Sequence, residues 1–282
     1  MAEQPEAPRY GGRALRNGVM MVGPGAVAVA VRKADGGIEV GVEPFTMSGS
    51  WAKNIPFVRG LVSFGGMLRL ARLSSRLENK LGDGHRVKMT LPQLAPGIGA
   101  AIAERLTAEL ARRTDDRLVA PIEAAAGLTL PFMAFAVSGR LPGVRELWRY
   151  HGAEHKAVNA AEAGLELTPR NARHMSRIHP RCGTTMAFWG LVGGSVARLA
   201  LGSMPAGRRK TVLGLVSGPL VMASAYEALR LGANLRDHPI GKLFFIPAWQ
   251  SQRFTTSEPS EEELEVAIAA LQAVMDHEEA AA

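Results

Sequence analysis

The sequence predicts a mainly α-helical fold with a small N-terminal β-hairpin region and a helical, membrane-associated core. Three observations carry the prediction. Apolar stretches of helix length lie between residues 124 and 229, two short β-type runs flank a Gly-containing turn near the N-terminus, and a capping signature precedes helical periodicity at the C-terminus. With 47% hydrophobic residues in a chain of 282, there is ample material to bury.

Residues 1–9 are polar and acidic and read as a disordered lead with neither a basic n-region nor an apolar h-region, so no cleaved signal peptide is expected. A first region, 10–90, is Gly-rich and then β-like. Ala26–Val31 and Ile38–Val42, separated by Ala34-Asp35-Gly36-Gly37, read as a hairpin. After Ile55-Pro56-Phe57-Val58-Arg59-Gly60, apolar residues at Leu61, Phe64 and Leu68 start an amphipathic helix running to about Leu81, where Gly82-Asp83-Gly84 stops it.

The second region, 91–250, is helical and membrane-associated. Residues 91–119 carry Glu104, Arg105, Glu109, Arg112 and Arg113, which argue against a span there. Ala124–Ser138 is uncharged but, at about 15 residues, short of the roughly 20 a helix needs to cross a bilayer. Thr184–Leu201, with only Arg198 inside it, and Thr211–Leu229, with only Glu227 near its end, are the candidate spans. Buried core helices of a soluble protein would show similar runs. The third region, 251–282, opens on Ser260-Glu261-Glu262-Glu263, a capping box, and continues as an amphipathic helix with Leu264, Ile268, Leu271 and Met275 on one face.

Charge narrows the partners. The net charge is +7, with Arg-rich stretches beside apolar runs, which fits membrane lipids. Only 6% of residues are aromatic and none interleave with Lys or Arg as in single-strand binders, so no nucleic-acid partner is expected. Arg140, Arg145, Arg149 and Lys156 follow the first apolar stretch and place that connection in the cytoplasm of a plasma-membrane protein; Arg208, Arg209 and Lys210 argue the other way.

The chemistry-bearing run is His151-Gly152-Ala153-Glu154-His155. On a helix, His151 and His155 share one face a turn apart, near enough to bind one ion, with Glu154 placed to take a proton from water. The order H-x-x-E-H is that of inverted zincins, which points to a peptidase. In Ile178-His179-Pro180-Arg181-Cys182-Gly183, Pro180 biases His179 toward extended backbone and Gly183 permits a turn, so His179 and Cys182 can aim at one point. The lone cysteine excludes an internal disulfide and leaves a thiol free for metal or for the core. Glu227 needs a partner inside its apolar stretch; a metal would serve, as would Arg198 or Arg230. Asn159 and Glu162 continue the His151/His155 face and are candidates for orienting a ligating imidazole. Four ligands from His151, His155, His179 and Cys182 would close a structural Zn2+ site, whereas three would leave room for water and give Glu154 a catalytic role.

Taken with Tyr10-Gly11-Gly12-Arg13-Ala14, Asn17-Gly18-Val19-Met20-Met21, the 55–60 run, Tyr226-Glu227 and Thr255-Thr256-Ser257-Glu258-Pro259, these motifs resemble the DUF1385 or YqhQ-like bacterial family over most of the chain. The resemblance implies several membrane spans and a metal-dependent activity without naming a substrate. Two features depart from the family's pattern: the spans before the His motif are weakly apolar here, and Leu15-Arg16-Asn17 stands where an aliphatic pair and an acid are expected. The expected function is a Zn2+-dependent, membrane-associated hydrolase acting on a protein or peptide. The alternative is a non-enzymatic membrane assembly or insertion factor with a structural metal site.

Overall fold

A computed structural model describes residues 10–47, 50–52, 54–81, 91–202 and 204–281. The expected lead at 1–9 and the Gly82-Asp83-Gly84 stop lie outside them. The N-terminal region forms a four-stranded antiparallel meander: β1 (Gly11–Leu15), β2 (Gly18–Val22), β3 (Ala26–Arg32) and β4 (Ile38–Pro44) in sequence order. The expected hairpin is its β3–β4 half, in the register Ala30 to Val40, closed by a turn in which Gly36 takes φ 88°. In its other half, β2 is apolar and buried, while β1 opens on Gly11-Gly12 and has low strand propensity. Gly18 is required there, because a Cβ would sit 2.1 Å from the Ala30 carbonyl oxygen.

Both faces of the sheet are covered, which explains why β3 is a continuous apolar run. Ala26, Ala28 and Ala30 pack on α4 (Pro142–Glu162) and α9 (Glu261–Ala281), while Val27, Val29 and Val31 pack on α1 (Val58–Leu81). The C-terminal helix is therefore part of the N-terminal core, burying Leu264, Ala267, Ala270, Leu271 and Val274. Half of its capping box forms: Glu263 accepts from the Ser260 backbone N–H at 2.6 Å, while the Ser260 hydroxyl donates to the same carboxylate instead of accepting from a backbone N–H. At the far end, Glu278 accepts from the Gly25 N–H at 2.9 Å and fastens the helix to the β2–β3 turn.

The second layer is a helical stack of α2 (Leu91–Ala111), α3 (Asp116–Ser138), α6 (Gly183–Gly202), α7 (Arg208–Asn234) and α8 (Pro239–Gln250), with the one-turn α5 (Pro169–Ala172) beside α4. Among the described residues two helices are long and apolar enough to cross a bilayer: Arg117–Ser138 and Arg208–Asn234. The set differs from the expected pair. α3 gains length by starting at Asp116, where the Asp115 carboxylate accepts from the Arg117 N–H, whereas α6 is not in the set. In both helices only 11% of the apolar stretch is buried, unlike core helices of a soluble protein. Leu215, Leu243 and Phe244 are 74%, 79% and 67% exposed, an apolar surface compatible with lipid rather than water. Arg198, alone in α6, is paired inside the layer with Glu104 at 3.0 Å.

Candidate metal centre

α4 carries the His motif because it is a regular helix with Pro142 in its first turn, so His151 and His155 project from one face. Their rings lie 4.5 Å apart between centroids. The 176–182 segment crosses this face and delivers Cys182. Nitrogens of His151 and His155 and the Cys182 sulfur lie within 4.8 Å of one another, the Cys182 Sγ to His151 Nε2 distance being 3.4 Å.

Both imidazoles are oriented from behind. His151 Nδ1 is 2.8 Å from the Thr255 carbonyl oxygen and His155 Nδ1 is 2.5 Å from that of Arg177. Protons on the two Nδ1 atoms donate to these carbonyls and leave each Nε2 turned toward Cys182, free to ligate once its own proton has left. His155 Nε2 is buried, makes no close hydrogen bond among the described residues and lies within 4.8 Å of the Cys182 sulfur. Two imidazoles and one thiol are a donor set suited to zinc.

The electrostatics favour the ligating form of the thiol. Burial would raise the Cys182 pKa, yet His155 and His151 hold it well below its ordinary value. Burial opposes charge on His151, but the Cys182 thiolate and Glu154 outweigh it and push its pKa up to about 9. The same groups raise His155. Glu154 Oε2 is 3.8 Å from His151 Nε2 and is buried beneath β1, where a Cβ on Gly12 would come within 2.8 Å of Glu154 Cγ.

The remaining expected residues separate into neighbours and absentees. Asn159 donates to the Ser176 and Ile178 carbonyls at 2.7 and 3.2 Å, and so pins the segment that delivers Cys182. His179 stands beside the group, its ring 6.0 Å from that of His155, but turns Nε2 toward Glu162 at 3.4 Å. Glu162 also pairs with Arg181 and, at 3.4 Å, with Arg236; burial would raise its pKa, but His179 and Arg181 bring it down to about 2. Glu227 is not in the group. Arg59 holds its carboxylate through Nε at 2.8 Å and through Nη2, and the Phe57 N–H donates to it at 3.0 Å. That pairing stands where a metal or Arg198 was expected, while the expected Arg230 acts on the same carboxylate by its charge from beyond ion-pair distance. Trp148 is packed over Gly139 and Tyr150 lies in the core.

The sequence did not single out Gln252. It is fully buried, accepts from the His179 N–H at 2.9 Å, and donates to the His179 carbonyl at 2.8 Å and to Thr185 Oγ1 at 3.0 Å. Gly152 has an equally specific role: a Cβ there would lie 2.1 Å from the Ser257 carbonyl oxygen. Only Gly lets residues 255–257 run against α4 closely enough for Thr255 to meet His151. The single visible signal for Gln252 was its nearness to the Thr255-Thr256-Ser257 run.

A family model described as protein of unknown function (DUF1385) matches residues 55–277. An uncharacterized protein, YqhQ of Bacillus subtilis (strain 168), is 28% identical over 295 residues, an alignment covering 95% of this chain and 92% of the relative. No solved structure matches.

Proposed function

The chain belongs to the DUF1385 family of proteins of unknown function, and from that premise we propose a membrane-associated metallohydrolase, with peptide amides as its substrate class, holding Zn2+ through His151, His155 and Cys182. The observation carrying this reading is the convergence of the three ligand atoms within 4.8 Å, with the Glu154 carboxylate 3.8 Å from His151 Nε2. Three protein ligands leave a tetrahedral ion one free position. Zinc bound here would supply Lewis acidity and lower the pKa of a water molecule. The chain supplies the rest. Thr255 and Arg177 carbonyls fix the imidazole tautomers, Asn159 and Gln252 hold the Cys182 segment, and Glu154 accepts the proton of the attacking water.

The apolar faces of α3 and α7 support placement in a membrane. The C-terminus of α3, the N-terminus of α6 and the C-terminus of α7 all lie on the side of the metal centre: α4 follows α3 directly, Cys182 precedes α6, and Arg236 reaches Glu162. Arg140, Arg145, Arg149 and Lys156 lie on that side too, which supports a cytoplasmic site at the plasma membrane.

A second reading is favoured by burial. His155 and Cys182 are 1% and 7% exposed, as in a structural site that ties α4 to the 176–182 segment of a membrane assembly factor. Metal analysis with a peptide-hydrolysis assay on wild type and Glu154→Gln separates the two. The hydrolase reading expects one equivalent of zinc in both proteins and cleavage only by wild type. Stoichiometric zinc with no cleavage of a broad peptide library by wild type would leave the structural reading standing.

A further inference from the structure

The Ile55–Gly60 motif and Glu227 take no part in the metal centre, yet they meet in a second built feature. Phe57 has φ 65°, an unfavourable conformation for an aromatic residue. It is held there because its N–H donates to Glu227, whose carboxylate also receives the Arg59 guanidinium. Gly60 lets α1 cross α7 at this point, since a Cβ would lie 3.1 Å from Ala223 Cα. The arrangement props open a cavity of about 520 Å3 lined by Phe57, Arg59, Ser224, Arg230, Leu231 and Asn234.

The charges in this cavity do not balance. Arg59 makes the close ion pair with Glu227, while Arg230 faces the same carboxylate by its charge alone and makes no hydrogen bond or close ion pair among the described residues. One positive charge is left over, with the Ser224 hydroxyl and the Asn234 amide as further donors on the same wall. The wall belongs to the last turns of an apolar helix long enough to cross a bilayer, and Leu231 and Phe57 are exposed at 53% and 48% beside it. A single excess guanidinium above an apolar surface at the end of a span matches a phosphate monoanion that carries acyl chains.

We propose that the Arg59–Glu227 clamp builds a phosphate-recognition site, with Arg230 as the binding cation and the headgroup of an anionic phospholipid as its ligand. The site is separate from the metal centre and does not depend on the hydrolase reading. Native mass spectrometry of the full chain in detergent doped with phosphatidylglycerol or phosphatidylcholine tests it, alongside calorimetric titration with soluble glycerol phosphate. Preferential phosphatidylglycerol retention is expected, reduced about fivefold in Arg230→Gln and preserved in Arg230→Lys. Binding of glycerol phosphate that depends on Arg230, without lipid preference, would keep the site and assign it to a free phosphate. Equal retention by wild type and Arg230→Gln with no phosphate titration would overturn the proposal, as would an equal loss in Arg230→Gln and Arg230→Lys.

Discussion

Cys182 Sγ lies 3.4 Å from His151 Nε2, although the two residues are 31 positions apart and on different segments. A thiol and an imidazole held this close in a buried site share either a proton or a metal. Zinc is therefore expected to protect Cys182: the zinc-loaded protein should resist alkylation that the chelator-treated protein undergoes. Cys182→Ser and His155→Ala should each lower zinc affinity by more than about 100-fold, the upper range for loss of an outer-shell partner. Calorimetric titration would show it, and unchanged affinity in both variants would remove the site.

Gln252 anchors the Cys182 segment with three buried hydrogen bonds. Gln252→Ala strands the His179 N–H, while the His179 carbonyl keeps the Cys182 N–H at 3.2 Å, and should cost about 1–3 kcal/mol in stability. Thermal unfolding in detergent checks the first effect, and a parallel fall in zinc affinity checks that the segment positions the ligand.

Gly152→Ala tests the approach of residues 255–257 to α4. A Cβ 2.1 Å from the Ser257 oxygen must push that strand of chain away, costing about 1–3 kcal/mol and breaking the contact from Thr255 to His151. Gly143→Ala, which meets nothing within 4 Å, is the control and should be neutral.

Glu162 gives a pH signature. Its pKa in the folded protein, about 2, lies below the 4.5 of the free side chain. The folded state therefore binds its proton less readily than the unfolded chain, and the resulting stability is present above pH 4.5 and lost as pH falls through about 2. Glu162→Gln should be less stable than wild type by about 2 kcal/mol near neutral pH. Unfolding curves of the two proteins should converge across that acid window; a constant difference would mean that the carboxylate's charge is not involved.

Leu215 is 74% exposed in the apolar stretch of α7. If the face meets lipid, Leu215→Arg should disfavour insertion by about 2.5–3.5 kcal/mol and shift the chain out of the membrane fraction after alkaline extraction. A water-facing residue would tolerate the change within about 0.5 kcal/mol.

The sequence by itself determined the local matters. Spacing of four placed His151 and His155 on one helical face, Ser260 and Glu263 wrote the start of α9, and Asp35-Gly36-Gly37 wrote the β3–β4 turn, because each depends on backbone geometry within a few residues. What joins across the fold was decided only in three dimensions. Cys182 joined His151 and His155 while His179 turned to Glu162, and Glu227 took Arg59 as its close partner, away from that group. The β1 strand formed from weak strand formers because β2 gave it a partner on its edge and α4 one on its face. The physical reason is common to all of these. A charge or lone pair satisfies itself with whichever group packing brings within about 3 Å, and that neighbour is set by long-range burial rather than by position along the chain.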